Sequence, residues 1–480
     1  MLKRPAFRNC FRVETVPSEG AFLLSEFGHV VLPDRMHELV APMIDSRRTA
    51  DAIAEELAGE APPEHVYYTL LDLEQRGLIV DAELAGSIWS YLGADPRAAR
   101  ARVEASAVEV LAAPGLDPEP LVSALRAHGL RDSPQADFTL VLTADPLDPE
   151  LQRINAEALS QERPWMLVNP FAATALLGPI FKPGETGCWE CLAARLRANR
   201  DVEAYLEAKG KKGPFRADTA ALSALAPAAT ALAAFQAARF VALGQNPDLV
   251  GRVVSFELSS MSTTTHHLVR RPQCPACGDA GYLSRALAPV QMEPRPKRFR
   301  ADGGHRTASP AETFARYQHH VSPLTGVVSG LSAAPVPGGG PLHVYIAGHN
   351  FAMKADSLHF LRQHLRVKSS GKGMSDVQAR TSALCEAIER CSGLFSADRP
   401  RRWASLEELG EAGIHPNRCM GFSERQYATR RPPAELGSPF HAVPLPFDPA
   451  ARIDWTPVWS FRSNSFRYLP TSYCYYGYPS

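Results

Sequence analysis

Two short runs carry the residue types that could do chemistry: Ser370-Gly371-Lys372-Gly373, and Ser382-Ala383-Leu384-Cys385-Glu386-Ala387-Ile388-Glu389-Arg390. Their spacing predicts a helix from about Asp376 to Ser392. On it Gln378, Ser382, Glu386 and Glu389 fall at i, i+4, i+8 and i+11 and share one face. Leu384, Ile388 and Cys391 form an apolar stripe on roughly the opposite side. Two carboxylates on one stripe repel each other unless a cation sits between them, and a hard cation such as Mg2+, shared with nucleotide phosphates, satisfies that need. Gly-Lys-Gly just upstream offers bare backbone and an ammonium, both suited to phosphate. The same pattern also fits a solvated helix face, with Glu386 and Arg390 as a surface i,i+4 pair.

A second cluster is made of sulfur. Cys188-Trp189-Glu190-Cys191 and Cys274-Pro275-Ala276-Cys277 are two C-x-x-C knuckles separated by 82 residues. Four thiolates at tetrahedral geometry make a closed structural Zn2+ site, and this spacing would clamp two distant parts of one domain. A redox disulfide or coincidental buried cysteines are the other readings. All-cysteine ligation leaves no open coordination position, so the expected role is structural.

Composition excludes several classes. The chain has 480 residues, 45% hydrophobic and 21% charged, with a formal net charge of zero. That length suits about two to four domains with sizeable cores. The neutral balance gives no reason to expect a nucleic-acid or membrane partner. No run of eighteen apolar residues predicts a membrane span. Met-Leu-Lys-Arg-Pro at the start lacks the apolar centre of a signal peptide. Paired cysteines without an export signal favour metal over disulfide, and the expected location is cytoplasmic.

The elements that must position these groups follow from pattern. Alternation predicts strands at Phe11–Val16, Ala21–Leu24 and His29–Leu32. Asp34 and Thr49 are placed to cap helices, Pro62-Pro63 to start a third from Glu64 to Arg76, and Leu78–Val80 returns as a strand. Residues 1–82 are therefore a winged-helix-like α+β module. Winged helices often bind DNA. Through Asp81, however, the module carries 8 Lys/Arg against 14 Asp/Glu, a net of −6, which opposes a phosphate backbone. Residues 83–285 read as α/β, with buried strands at Val108–Leu111, Phe138–Leu142 and Trp165–Asn169 and a helix from Pro149 to Gln161. The Ala-rich Thr219–Ala238 reads as a packed core helix. Residues 286–315 have linker composition, with Pro289, Pro294, Pro296 and a Lys/Arg run. Pro335–Pro341 reads as a loop and His343–Ala347 as a strand within residues 316–480.

Three resemblances attach to these residues. Ser-Gly-Lys-Gly, Gln378-Ala379-Arg380 and Ser382–Arg390 resemble the first nucleotide-binding segment of YcaO-domain proteins, and Ser322-Pro323-Leu324-Thr325-Gly326-Val327 resembles that domain's opening. The resemblance implies ATP and Mg2+ binding, with Glu386 and Glu389 holding metal and phosphate and Lys372, Ser382 and Arg390 close by. The turn Phe181-Lys182-Pro183-Gly184, the run Gly187–Leu192 and the late cysteine pair are similar to ThiF-like adenylating domains. Where that family has a glycine-rich loop this chain has Leu111-Ala112-Ala113-Pro114-Gly115-Leu116, a poor phosphate cradle. That departure implies peptide presentation rather than ATP chemistry there. The order of elements in residues 1–82 resembles a PqqD-like recognition element, in which a leader peptide adds a strand to the sheet edge. Mapped here, the edge is Val30-Val31-Leu32 and the helix face includes Val66, Tyr67 and Leu70. The plain alternative is that these residues are core.

The order of the three parts resembles fused azoline-forming cyclodehydratases. In that reaction a Cys, Ser or Thr side chain of a ribosomal precursor peptide attacks the preceding amide carbonyl. ATP phosphorylates the resulting oxygen, and phosphate leaves to give thiazoline or oxazoline. The resemblance implies ATP, Mg2+ and structural Zn2+ as cofactors and the precursor peptide as partner. An azoline dehydrogenase and a second copy of the chain are further partners it allows. Catalytic acids or bases are not identifiable. The family's domain continues past a segment like Tyr473–Ser480 with further acidic ligands, so residues 316–480 are expected to be the N-terminal part of the domain. Two competing readings remain: a non-catalytic scaffold presenting the peptide to a separate, complete YcaO enzyme, and an adenylating sulfur-transfer enzyme.

Overall fold

A computed structural model describes residues 2–211, 226–257, 259–298, 305–336, 338, 340–349, 358, 361, 362, 368–432 and 442–478. Strands β1 (Pro5–Phe7), β2 (Arg12–Val16), β3 (Gly20–Ser25) and β4 (Gly28–Leu32) precede helices α1 (Arg35–Val40), α2 (Ala50–Glu56) and α3 (Pro63–Gln75). Strand β5 (Ile79–Asp81) follows and pairs antiparallel with β1. The sheet order β2-β3-β4 leaves β4 at an edge. Ala21, Leu23 and Leu32 point into the core with Ile53, Val66, Leu70 and Leu73, the one-faced burial that period-two strands and an amphipathic helix produce. Asp34 caps α1 through Met36 N at 2.7 Å, and Thr49 caps α2 through Ala52 N at 3.2 Å. Such caps stabilise a helix by about 1 kcal/mol each. The expected strands and helices of this module form, and β1 is added to them.

By compactness the chain divides into two units, the first being Met1–Thr143, Trp165–Phe171 and Ser223–Val250. Beyond the N-terminal module, this unit holds β6 (Ala107–Ala112), β7 (Arg131–Asp132), β8 (Phe138–Leu142) and β9 (Trp165–Asn169). They pair in parallel in the order β9-β8-β6-β7. Every residue of β8 and β9 is buried, as parallel strands covered on both faces must be. The loop after β6 is closed by Ala113 N donating to Leu142 O at 2.9 Å, and a helix starts at Glu119. Among the described residues one helix, Ala226–Leu243, is long and apolar enough to cross a membrane, and 50% of it is buried in the protein. Ala229, Ala233 and Ala237 line its buried side, so small side chains let it pack closely. The beginning of the Ala-rich stretch, residues 219–225, lies outside the described residues.

The second unit contains Ala144–Pro164, Ala172–Leu222 and Gly251–Ser480. Strands β10 (Thr174–Phe181), β11 (Arg252–Glu257) and β12 (Ser262–His267) pair antiparallel in the order β12-β11-β10. The stretch expected to be linker through residue 315 already contains a helix, Pro310–Tyr317. Its signal is a capping box, Ser309 with Glu312, followed by Pro at the first helical position. Strands β13 (Gly330–Ala333), β14 (His343–Gly348) and β15 (Lys368–Gly373) form an antiparallel sheet in that order. The Asp376–Ser392 helix packs on it with the expected bounds. Ala383, Leu384 and Ala387 meet Val327, Val328 and Ala347 there, with Ile388 and Cys391 alongside. A last sheet, β16 (Arg402–Ala404), β17 (Ile453–Ser460) and β18 (Ser465–Pro470), closes over Trp455.

The two glycines of Ser-Gly-Lys-Gly belong to β15, not to an open loop. A Cβ on Gly371 would run into Ala379 O and Ala383 N, and one on Gly373 into Gln378 Oε1 and Ala379 N. The glycines serve close strand–helix packing rather than a phosphate cradle, while Ser370 and Lys372 alternate with them on the exposed side. We predict that Gly371→Ala destabilises the protein by about 3 kcal/mol or more, since backbone cannot move aside as a flexible side chain can. Denaturant unfolding of the variant checks this. A loss below about 0.5 kcal/mol would show that the close approach is not required.

Candidate functional site

The four cysteines are brought together. Cys188 Sγ lies 3.7 Å from Cys274 Sγ, and Cys191 Sγ lies 3.6 Å from Cys277 Sγ. All four sulfurs lie within 4.8 Å of one another, with three of the residues buried. A tetrahedral zinc with Zn–S bonds of about 2.3 Å needs sulfurs about 3.8 Å apart, so the residues fit a tetrahedral metal ion. Proton sharing with Cys191 and Cys277, then burial, pushes the Cys188 thiol up, while sharing with Cys188 and Cys191 pulls Cys277 down. Four negative sulfurs cannot stay this close without a cation. The surroundings supply hydrogen-bond donors. Arg271 N donates to Cys191 Sγ at 3.4 Å, and Arg270 spans from Gly184 O to Cys277 O. The knuckle helix, Trp189–Ala198, starts at the first pair. Trp189 anchors it, fully buried, through Nε1 to Pro146 O at 2.8 Å and N to Asn155 Oδ1 at 3.0 Å.

The acidic helix places Glu386 beside the edge strand β15. Ser370 N donates to Glu386 Oε2 at 3.3 Å. Arg390 donates to Glu386 Oε1 through Nη2 at 2.8 Å and Nε at 3.1 Å. Ser382, Glu389, Arg390 and Lys372 are exposed, and Glu386 is half-buried. The structure thus joins Glu386 to Arg390 and to the backbone of Ser370, while Ser382 and Glu389 stand one turn on either side in open solvent. Exposed pairs such as Glu386–Arg390 contribute under about 1 kcal/mol. A stronger ligand for either partner, a divalent cation or a phosphate, can therefore displace the pair. On the expected apolar side, Leu384 is fully buried, as the spacing required.

Sequence reasoning missed His349. It is buried, and its Nε2 lies 3.1 Å from Ser369 Oγ. Burial, and then the Arg390 charge, lower its pKa, while Glu386 opposes them. Nothing in the residues around His349 signals that β14 ends behind the carboxylates. Also missed was the stripe Cys191, Arg195, Asn199, although its i, i+4, i+8 spacing was visible.

In the N-terminal module the expected contact residues divide. Leu32, Val66 and Leu70 have their side chains buried in the core. Val30 and Tyr67 pack partly against that core, and the Tyr67 hydroxyl donates to Asp51 at 2.7 Å. Val31 alone of the edge trio is open, 52% exposed, and on α3 the open apolar residues are Tyr68, at 74%, and Leu71, at 37%. The correction follows from helical geometry: Val66 and Leu70 lie on the core side, and the outer face starts at Tyr68.

Comparison with known proteins gives these observations a frame. Residues 370–480 match the YcaO cyclodehydratase family, described as ATP- and Mg2+-binding. No curated protein sequence matches the chain. A solved heterocyclase in complex with substrate and cofactor is similar, with 37% identity over 99% of this chain and a TM-score of 0.88. The heterocyclase TruD is similar with 33% identity over 100% of this chain and a TM-score of 0.80. The chain spans 65% of the first of these proteins and 64% of the second. The fold is a mixed α/β multidomain one close to the heterocyclase structures, and the acidic helix lies within the segment that matches the YcaO family.

Proposed function

We propose that the chain takes part in ATP-dependent cyclodehydration of Cys, Ser or Thr residues in a ribosomally made peptide, giving thiazoline or oxazoline. The observation that carries this reading is the acidic helix: Ser382, Glu386 and Glu389 share one face inside the segment matching an ATP- and Mg2+-binding family. Glu386 and Glu389 would hold Mg2+, and Lys372 and Arg390 the phosphates, with Ser382 beside them. Bound Mg2+ would neutralise charge developing on the transferred phosphoryl group. Arg390, paired with Glu386 in this structure, would exchange its carboxylate partner for phosphate oxygens. The four cysteines would hold a structural Zn2+, and residues 1–82 would take the leader peptide at the β4 edge, where Val31 and Tyr68 are open.

The scaffold reading keeps one supporting observation, since the Glu386–Arg390 pair is also what a solvated face shows. Peptide mass after incubation with ATP and Mg2+ separates the two. Loss of one water per modified residue, only when ATP is present, is expected. An unchanged mass together with measurable peptide binding would favour the scaffold. Glu386→Ala should lower the ATP-dependent rate by roughly 10- to 100-fold or more, the scale seen when metal-site partners are removed. An unchanged rate would remove Glu386 from the site.

Two further outcomes are expected. The chain should carry one Zn2+, and a chromogenic chelator should capture it more readily as pH falls. Protons compete with metal for the thiolates, so metal is held at higher pH and released at lower pH. Cys277→Ser should lower zinc content, and a zinc content equal to that of the unsubstituted protein would exclude Cys277 as a ligand. In the N-terminal module, Leu70→Ala should cost about 2–5 kcal/mol of stability by opening a cavity. Val31→Lys should leave stability within about 0.5 kcal/mol yet weaken peptide binding measured by fluorescence anisotropy. Unchanged anisotropy would place the peptide elsewhere.

A further inference from the structure

The knuckle helix presents Cys191, Arg195 and Asn199 along one face, and each ends on a different structure. Cys191 is in the four-sulfur cluster. Arg195 is half-buried, and its charge reaches Cys391, in the last turn of the acidic helix. Asn199 Nδ2 donates to Leu324 O at 3.0 Å and Gly326 O at 3.1 Å. These two carbonyls belong to a turn that is already knotted. Gly326 N returns to Ser322 O at 3.1 Å, and Ser322 Oγ accepts from Leu324 N and Thr325 N. A Cβ on Gly326 would strike the backbone of His320 and Ser322. Val327 and Val328 follow the turn directly and are buried against Ala383, Leu384 and Ala387 of the acidic helix.

The second cysteine pair reaches the same turn from the other side. Strand β12 leads towards Cys274 and carries His266, whose Nδ1 lies 2.8 Å from Ser322 Oγ and whose Nε2 lies 2.8 Å from Ser255 Oγ. Both halves of the sulfur cluster are therefore joined to the turn beneath the acidic helix, the first through the knuckle helix and Asn199, the second along the chain through β12 and His266. Buried hydrogen bonds of this kind are costly to leave unmade. A shift of the knuckle helix would strand the Leu324 and Gly326 carbonyls together.

We propose that Arg195 and Asn199 are positioning residues that transmit metal occupancy at the four cysteines to the order of the acidic helix, and so to nucleotide affinity. The second part rests on the nucleotide reading of Glu386 and Glu389; the first does not. Loss of metal frees the start of the knuckle helix, its far end lets go of the turn, and the carboxylate face loses its fixed register against β15.

Hydrogen–deuterium exchange of the 480-residue chain, without nucleotide, tests the link. Chelation of zinc should speed exchange of the Asp376–Ser392 amides at least tenfold while leaving α3 unchanged. Asn199→Ala and Arg195→Met should produce the same acceleration with zinc still bound, and Arg195→Lys should restore part of the protection. Unchanged exchange in Asn199→Ala and Arg195→Met at full zinc content overturns the proposal, whatever chelation does to the fold. Titration of the same samples with ATP is read separately. If the zinc-loaded, unsubstituted chain binds no ATP, the nucleotide assignment fails, and the exchange result alone decides the coupling.

Discussion

The contact on which the candidate site depends is backbone against backbone. Strand β15 and the acidic helix approach so closely that two strand positions have no room for a Cβ. The approach puts Glu386 within reach of the Ser370 amide. A helix held off by one alanine layer would carry its carboxylates away from the strand. The requirement for glycine is therefore steric, and the phosphate chemistry a glycine run suggests in a loop does not apply to it here. What remains for ligand binding is the side chains on the outer face, and those are few, charged and exposed.

The energetic contrast between the two clusters decides what each can do. Around Glu386 the interactions are weak and reversible, an i,i+4 pair and one long amide bond, so the face can exchange partners. Around the cysteines the sulfurs are buried and crowded, and their protons are shared. A cation held by all four sulfurs would leave that cluster no vacant position for substrate. A rigid anchor and an adaptable face lie at the two ends of one connected set of elements: knuckle helix, Ser322–Gly326 turn, acidic helix. Such a division suits a site that must hold its ligands' register while its ligands come and go.

How much of this was legible in the sequence depends on how local the signal is. The Asp376–Ser392 helix, the caps at Asp34 and Thr49, and strands β8 and β9 are set by near neighbours, and pattern alone finds them. The two C-x-x-C knuckles are also local, and only their meeting across 82 residues is not. Strand β1 was invisible because its three residues have no periodicity; β5 makes it a strand. The Pro310–Tyr317 helix was hidden because proline and charge upstream read as linker, although Ser309 and Glu312 carried a capping box. His349 became part of the candidate site only through the end of β14, which no spacing announces.

The N-terminal module shows the limit from the other direction. Sequence placed a hydrophobic face on α3 correctly, but a face has two uses, and hydrophobicity does not say which. Val66 and Leu70 fill the core because the sheet lies on their side; Tyr68, rotated away, is left to solvent. Tyr68 and, on the edge strand β4, Val31 are both open to solvent. On the proposed reading, the open backbone of the edge and the exposed Val31 and Tyr68 would suit an extended segment that supplies backbone and side chains at once. The net charge of −6 in residues 1–81 would restrict such a segment further, since any acidic stretch within it would have to lie away from the module's own carboxylates.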